Sequence, residues 1–271
     1  MSPTACAALY CLFVWWFSTG LIVLLNNLPQ RTFKVSFSAF TAIAGVSLYR
    51  LAAGSHDVSV TGAYAAFTYA VLVWGWHEMA FFMGFITGPR KTACPNRCHG
   101  RAHFGHSVQA CIDHELAILG TGVAVLWATW GAPNHVGLWT FMILWGMRLS
   151  AKLNVYLGVL NLGEAFLPQH LKYLLSFMSH RRMNWLMPVS LVGGAAITLL
   201  LIMRAAEPGI SAFNTAGLTF LITMMALGVL EHAMLVAPLP FTVLWSWWLR
   251  RQGKPRLAEP APTSIIHASL T

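Results

Sequence analysis

The sequence predicts an all-α integral membrane protein of about seven transmembrane helices, N-terminus outside and C-terminus cytoplasmic. Three observations carry that prediction. Of the 271 residues, 57% are apolar and only 9% are charged, and the mean hydropathy is +0.62. Soluble domains carry about a quarter of their residues as charges. The apolar residues also gather into runs near the ~20 residues that a helix needs to cross a bilayer. Finally, the connections between those runs alternate between basic and nearly uncharged, which is how membrane proteins encode orientation.

The first helix is expected over residues 4–26, ending at Asn26-Asn27-Leu28-Pro29. No basic region precedes it, so it reads as a span and not as a cleavable leader. The second, over 37–53, is Ala-rich and short for a span unless its flanks contribute. The third covers 60–87 and is closed by Gly88-Pro89. The fourth, fifth, sixth and seventh are expected over 108–130, 136–157, 185–204 and 211–236. The 12 Trp and 16 Phe suit this reading, because aromatic rings anchor helices at the water interface.

Charge tests the map. Arg31 and Lys34 follow the first helix, and Arg90, Lys91, Arg97 and Arg101 follow the third. Arg148, Lys152, Lys172, Arg181 and Arg182 lie at or after the end of the fifth, and Arg250, Arg251, Lys254 and Arg256 follow the seventh. Fifteen of the 17 basic residues thus fall on one side, leaving Arg50 and Arg204 on the other. An even helix count would scramble this alternation. The net charge of +9 is spread over these connections, which excludes nucleic acid as a partner and makes membrane lipids the natural one.

Two segments are expected to lie on the membrane. Residues 168–180 start with Pro168, a favoured first helical residue, and carry Leu171, Leu174, Leu175 and Met178 at amphipathic spacing. Pro238-Leu239-Pro240 should break the seventh helix ahead of an anchor containing Trp245, Trp247 and Trp248. Residues 1–249 then form a single membrane domain, and 250–271 a basic, Pro-rich, disordered cytoplasmic tail.

The candidate chemistry lies in a few ionisable residues inside apolar segments. Four of the eight acidic residues, Glu78, Asp113, Glu115 and Glu231, are placed there. Three stand beside a histidine, as His77-Glu78, His114-Glu115 and Glu231-His232. An ionisable group costs about 2.5–3.5 kcal/mol on insertion scales, so such groups face a bundle interior where they pair, ligate or carry protons. All three pairs map to the cytoplasmic half. Arg148, Lys152 and Asn154 lie along the same half of the fifth helix, with Lys152 snorkelling to the interface and Arg148 deep enough to pair with Asp113 or a glutamate. Carboxylate with imidazole suits a transition metal, and a histidine can instead hold the magnesium of a chlorin. The spacing is neither the Glu-x-x-His of di-iron bundles nor the His-Glu-x-x-His of zinc proteases. The alternative is that the pairs only satisfy each other between helices.

The five cysteines form no secreted disulfide framework, since Cys6 and Cys11 lie in the first apolar segment. A reducing cytoplasmic face also argues against a Cys94–Cys98 disulfide. The loop from Cys94 to His106 offers Cys94 and Cys98 with His99, His103 and His106, enough ligands for tetrahedral zinc. The expected set is Cys94, Cys98, His99 and His103. The Arg and Lys residues around it suit anionic lipid headgroups equally.

Several strings resemble one membrane family. They are Trp74-Gly75-Trp76-His77-Glu78, Phe85-Ile86-Thr87-Gly88-Pro89-Arg90, His114-Glu115-Leu116, Lys152-Leu153-Asn154 and Phe166-Leu167-Pro168 with His170-Leu171. Met183-Asn184-Trp185 and Pro188-Val189-Ser190 continue the match. They resemble the photosynthetic complex assembly proteins of the PuhE type, encoded in purple phototrophic bacteria near the reaction-centre H-subunit gene. The resemblance runs from about residue 10 to 249, and the Cys98–His106 segment is its poorest part. It carries over no catalytic residue. It implies a multi-pass protein of the bacterial cytoplasmic or intracytoplasmic membrane. That protein would act in reaction-centre or antenna assembly or in bacteriochlorophyll supply. Partners would be reaction-centre or antenna polypeptides or pigment-synthesis proteins. A bacteriochlorophyll intermediate or a transition metal would be the candidate cofactor. The leading expectation is a non-enzymatic assembly factor; the alternative is a membrane metalloenzyme acting on a tetrapyrrole or other lipid-soluble substrate through the His/Glu cluster. A transporter is disfavoured, as no inverted repeat or matched pair of broken helices is visible.

Overall fold

The computed structural model describes residues 2–95, 98–164 and 167–237. The Trp-rich anchor expected after Pro238 and the tail from Arg250 lie outside the described residues. Among the described residues eight α-helices run in the order α1 (Pro3–Asn26), α2 (Phe33–Ala53), α3 (Val60–Phe82), α4 (Gly100–Gln109), α5 (Ile112–Ala128), α6 (Val136–Leu157), α7 (Leu186–Ala205) and α8 (Ala212–Val236). A 3-10 turn, Gln30–Thr32, leads into α2, and a longer 3-10 segment, Gln169–Phe177, follows α6. Among the described residues the one non-helical pairing is an isolated parallel bridge between Val159 and His180.

Among the described residues four helices are long and apolar enough to cross a membrane: α1, α2 together with its 3-10 turn, α7 and α8. The α4–α5 pair, bent by 58° at its break, makes a fifth if it is one broken span. Seven separate spans therefore do not emerge from length and apolarity. The reason lies in α3 and α6. They have 23 and 22 residues, long enough at 1.5 Å per residue, but they hold the polar residues of the centre. α3 is flanked by α1, α2, α5, α6 and α8, and its buried residues lie all around it, from Ala63 and Phe67 to Trp74, His77 and Met79. A helix enclosed in this way need not be greasy on its outside.

Serine hydroxyls set three helix starts. Ser2, Ser59 and Ser211 accept from the backbone N–H groups of Ala5, Gly62 and Asn214, each satisfying one of the donors that a first turn leaves open. Around Ser59 the adjacent Asp57 accepts from the Ser59 N–H at 2.9 Å. Those bonds to Ser59 hold its carboxyl below the usual carboxylate range. α3 ends at Phe82, five residues before the expected stop. Gly84 takes φ +79°, and the N–H groups of Phe85 and Ile86 both return to the carbonyl of Ala80. Glycine tolerates that left-handed turn, so the chain stops there and not at Gly88-Pro89. The expected fourth helix is two pieces meeting at Ala110-Cys111, and the second helix starts at Phe33, which removes its shortness.

The core runs along the bundle axis. Phe67 and Phe220 stack at 4.5 Å between centroids, with Tyr10 and Tyr64 against them and Phe141, Ile118 and Val125 fully buried nearby. Close helix approach depends on small residues. A Cβ on Gly137 would sit 2.5 Å from Leu51 Cδ2 and 3.1 Å from the Ala66 carbonyl, so α6 rests directly on α2 and α3. At one end of the bundle, Asn134 donates to the carbonyls of Asp57 and Gly62, joining the α2–α3 and α5–α6 connections. At the other end the 3-10 segment closes over the bundle. Leu171, Leu174 and Phe177 pack with Phe81 and Ala110, and the His170 ring faces the Phe82 carbonyl at 3.0 Å. This segment is expected to be an amphipathic α-helix lying on a membrane surface. It is instead a 3-10 stretch whose leucines are covered by the bundle itself.

Candidate polar seam and cysteine-histidine cluster

α6 organises the polar residues. Its last three turns carry Arg148, Ser150, Lys152 and Asn154 at alternate positions. Two residues along an α-helix turn through about 200°, so Arg148 and Lys152 share one face while Ser150 and Asn154 share the opposite one. Each face finds its own partners.

The first face meets α3 and α5. Arg148 donates to Glu78 at 3.0 Å. Lys152 is ion-paired with Glu115 at 2.5 Å and stands 5.1 Å from the centroid of the Phe81 ring. The Trp145 indole N–H approaches the second Glu115 oxygen at 3.4 Å. Arg148 therefore pairs with a glutamate, as the sequence suggests, and that glutamate is Glu78. Lys152 turns inward to the Glu115 carboxylate, with its side chain 23% exposed. Both carboxylates are neutralised by a cation from one helix, the arrangement that makes an ionised group tolerable away from water.

His77 and His114 lie between these pairs. Their ring centroids are 6.2 Å apart, and both residues are essentially inaccessible, at 0% and 1% exposure. Trp74, Trp76 and Phe141 surround His77 at 4.9–6.3 Å, and Phe81 lies 4.8 Å from His114. Among the described residues neither ring nitrogen of His77 has a hydrogen-bond partner, nor does His114 Nδ1. These ring nitrogens are open to a small polar ligand. A chlorin at His77 does not fit the packing: the macrocycle would displace Trp74, Trp76 or Phe141.

The second face of α6 meets α7 and α8. His232 is 1% exposed, with Nδ1 2.8 Å from the Gly228 carbonyl and Nε2 2.9 Å from Ser150 Oγ. A carbonyl only accepts, so Nδ1 carries the proton and the Ser150 hydroxyl donates to Nε2. Ser150 Oγ is 2.9 Å from Ser190 Oγ, which accepts from the Asn154 amide at 2.9 Å. Asn184 extends the network, donating to the carbonyls of Asn154 and Gly158 and accepting from the N–H groups of Leu186 and Met187. It thereby caps α7.

The expected pairs converge in part. Six residues, His77, Glu78, His114, Glu115, Arg148 and Lys152, form one group, and His232 joins it through α6. Asp113 is exposed, and neither it nor Glu231 enters an ion pair among the described residues, although the Glu231 carboxyl lies beside the Trp15 indole and within electrostatic reach of Arg148 and Glu78. Ser150, Ser190, Trp145 and Asn184 are participants the sequence reading passed over. Serine in an apolar helix is common enough to be silent, and only the alternation along α6 points to Ser150.

A second cluster lies in the α3–α4 connection and on α4. Cys94, Cys98 and His106 place one ligand atom each within 4.8 Å of one another. Cys98 Sγ is 3.2 Å from His106 Nδ1, and Cys94 Sγ is 3.7 Å from the same atom. His103 Nδ1 lies 3.2 Å from Cys94 Sγ. The expected ligand His99 is not in this group. It is the residue before α4, whereas His103 and His106 share a face one turn apart inside the helix.

Comparison with known proteins gives two findings. Residues 1–256 match a family described as "Protein of unknown function (DUF3623)". The chain is also 37% identical over 265 residues to a Rhodobacter capsulatus protein described as "Uncharacterized 30.4 kDa protein in puhA 5'region", covering 95% of this chain and 96% of that one. No solved structure matches the chain.

Proposed function

This chain belongs to the DUF3623 family, and from that premise we propose that it is a membrane assembly factor for the bacterial photosynthetic apparatus. The observation that carries the proposal is the near full-length relative placed by its description in the puhA 5' region, a photosynthesis gene-cluster context. It agrees with the resemblance to the PuhE-type assembly proteins in the strings around His77, His114 and Asn154.

The geometry supports a binding role over a chemical one. A metalloenzyme built on the His/Glu cluster needs several carboxylate oxygens free to ligate, whereas Glu115 is held by Lys152 and the Trp145 indole and Glu78 by Arg148, which leaves one Glu78 oxygen without a partner among the described residues. The outer helices offer wide apolar surfaces. Leu9, Phe13, Trp16 and Phe17 on α1 and Val189, Val192, Leu199 and Leu200 on α7 are exposed, suited to lipid or to the helices of reaction-centre or antenna polypeptides. In this reading seven spans cross the cytoplasmic or intracytoplasmic membrane, α4–α5 counting as one. The basic connections and the 3-10 segment face the cytoplasm.

The test is a deletion in the phototrophic source organism, with membrane absorption spectra measured after phototrophic growth. Assembled reaction centre or antenna should fall and return on complementation. Normal complexes and normal pigment in the deletion strain would overturn the proposal. Glu78→Gln and His114→Ala separate the two readings: an enzyme loses all function while the protein accumulates normally, whereas an assembly factor loses function only as far as the protein itself is lost.

A further inference from the structure

The geometry points to a zinc site on Cys94, Cys98, His103 and His106 that pins the α3–α4 connection to α4. Zinc takes thiolate at about 2.3 Å and imidazole at about 2.0–2.1 Å in a tetrahedron. Those lengths put adjacent sulfur and nitrogen ligands about 3.6 Å apart. The three sulfur–nitrogen separations here are 3.2, 3.2 and 3.7 Å. Three sulfur–nitrogen edges are thus near metal-bound length, and Cys94, Cys98 and His106 are mutually within 4.8 Å, with His103 reaching Cys94 alone of the three. Two thiolates with two imidazoles select zinc: iron–sulfur clusters want four thiolates, and magnesium and calcium want oxygen.

The surroundings hold the ligands in place, as metal sites require of their outer contacts. The Cys94 N–H donates to Ser176 Oγ at 2.8 Å, and Ser176 in turn donates to the Tyr173 carbonyl. The His103 ring stacks on Tyr156 at the end of α6, 5.5 Å between centroids and 23° between planes, with Phe177 at 6.0 Å on the 3-10 segment. Cys94, Cys98 and His106 form three of the four ligands, and His103, already 3.2 Å from Cys94 Sγ, completes the set by turning toward them. Both cysteines come from the α3–α4 connection, whose described residues carry no regular element and which covers the end of the bundle near His114 through the His114 N–H to Thr87 carbonyl bond. A metal bound there ties that cover down.

The inference stands apart from the assembly proposal, because metal content is read without reference to photosynthesis. The whole protein is purified in mild detergent from zinc-supplemented cells, and zinc per chain is measured by mass spectrometry. Cobalt is then exchanged in and its spectrum recorded. One zinc per chain is expected, with sulfur-to-cobalt charge transfer and the intense visible bands of a tetrahedral ion. Cys98→Ser and His106→Gln should lose the metal, while Cys6→Ser keeps it. His103→Ala should retain cobalt weakly with an altered visible spectrum; an unaltered spectrum removes His103 from the ligand set. Zinc-free wild-type protein, or zinc that survives both Cys98→Ser and His106→Gln, overturns the site. Chelation of the wild-type protein should speed amide exchange between residues 84 and 109 and leave α8 unchanged. Equal exchange with and without metal would overturn the clamping role.

Discussion

Replacing Lys152 with Met is the most direct probe of the polar seam. Lys152 and Glu115 are ion-paired, with side chains 23% and 19% exposed. Met keeps the aliphatic stem against Phe81 but strands Glu115, whose remaining donor is the Trp145 indole at 3.4 Å. Removing one member of a buried pair typically costs about 3–5 kcal/mol. Because this pair keeps some exposure, the low end, about 3 kcal/mol, is expected, or more than a hundredfold in the unfolding equilibrium. Glu115→Gln should cost less, about 1–2 kcal/mol, because Lys152 sits in the last turns of α6 and its long stem can reach the bundle end. Lys152→Met with Glu115→Gln together leaves no stranded charge. The double variant should therefore be more stable than Lys152→Met alone. The assay is unfolding in mixed micelles by sodium dodecyl sulfate, followed by tryptophan fluorescence. Additive losses, with the double variant the least stable of all, would refute the idea that the pair is one unit.

Three further outcomes are expected in the same assay. Ser150→Ala removes the hydroxyl that donates to His232 Nε2 and should cost about 1–3 kcal/mol. Combining it with His232→Phe should cost little beyond His232→Phe alone, and full additivity would break the link. Gly137→Val forces a side chain into Leu51 and the Ala66 carbonyl, so a loss of about 1–3 kcal/mol is expected from overpacking; unchanged stability would contradict the close approach of α6 to α2 and α3. Asn184→Ala strips the cap of α7 and two carbonyl partners, and about 2–3 kcal/mol should go with it. Faster amide exchange in residues 184–188 is the specific sign, and exchange no faster than wild type there would refute the capping role.

The sequence foretold the helical elements that end on strong local signals. α6 has the expected bounds, 136–157, and α7 and α8 lie within a residue of theirs. Where a boundary depends on tertiary contact it was not legible. At Gly84 the His170 ring stands 3.2 Å from where a Cβ would be, a contact that only the fold supplies. The leucines of 169–177 show an amphipathic face but not which surface covers it. The candidate site follows the same rule. Charged residues in apolar helices are conspicuous, so Glu78, Glu115, Arg148 and Lys152 stood out, while the choice of partner among them depended on helix packing. Neutral participants such as Ser150 and Ser190 carry no signal of their own. The zinc ligands show the limit most simply. His99 is nearer to Cys98 in sequence, but His106 is nearer in space, because α4 begins between them and turns its second histidine back.

The two faces of α6 also constrain motion. A helix with polar contacts on one side can roll or slide against its neighbours and trade one partner for another. α6 is keyed on opposite sides at once, to Glu78 and Glu115 on one and to His232 and Ser190 on the other, so a roll that eased one set would tear the other. The inner helices must then move as a single block. Any shape change then falls to the outer helices α1 and α2 and to the cover at the cysteine end, which makes the bundle interior a fixed axle and its periphery the working surface.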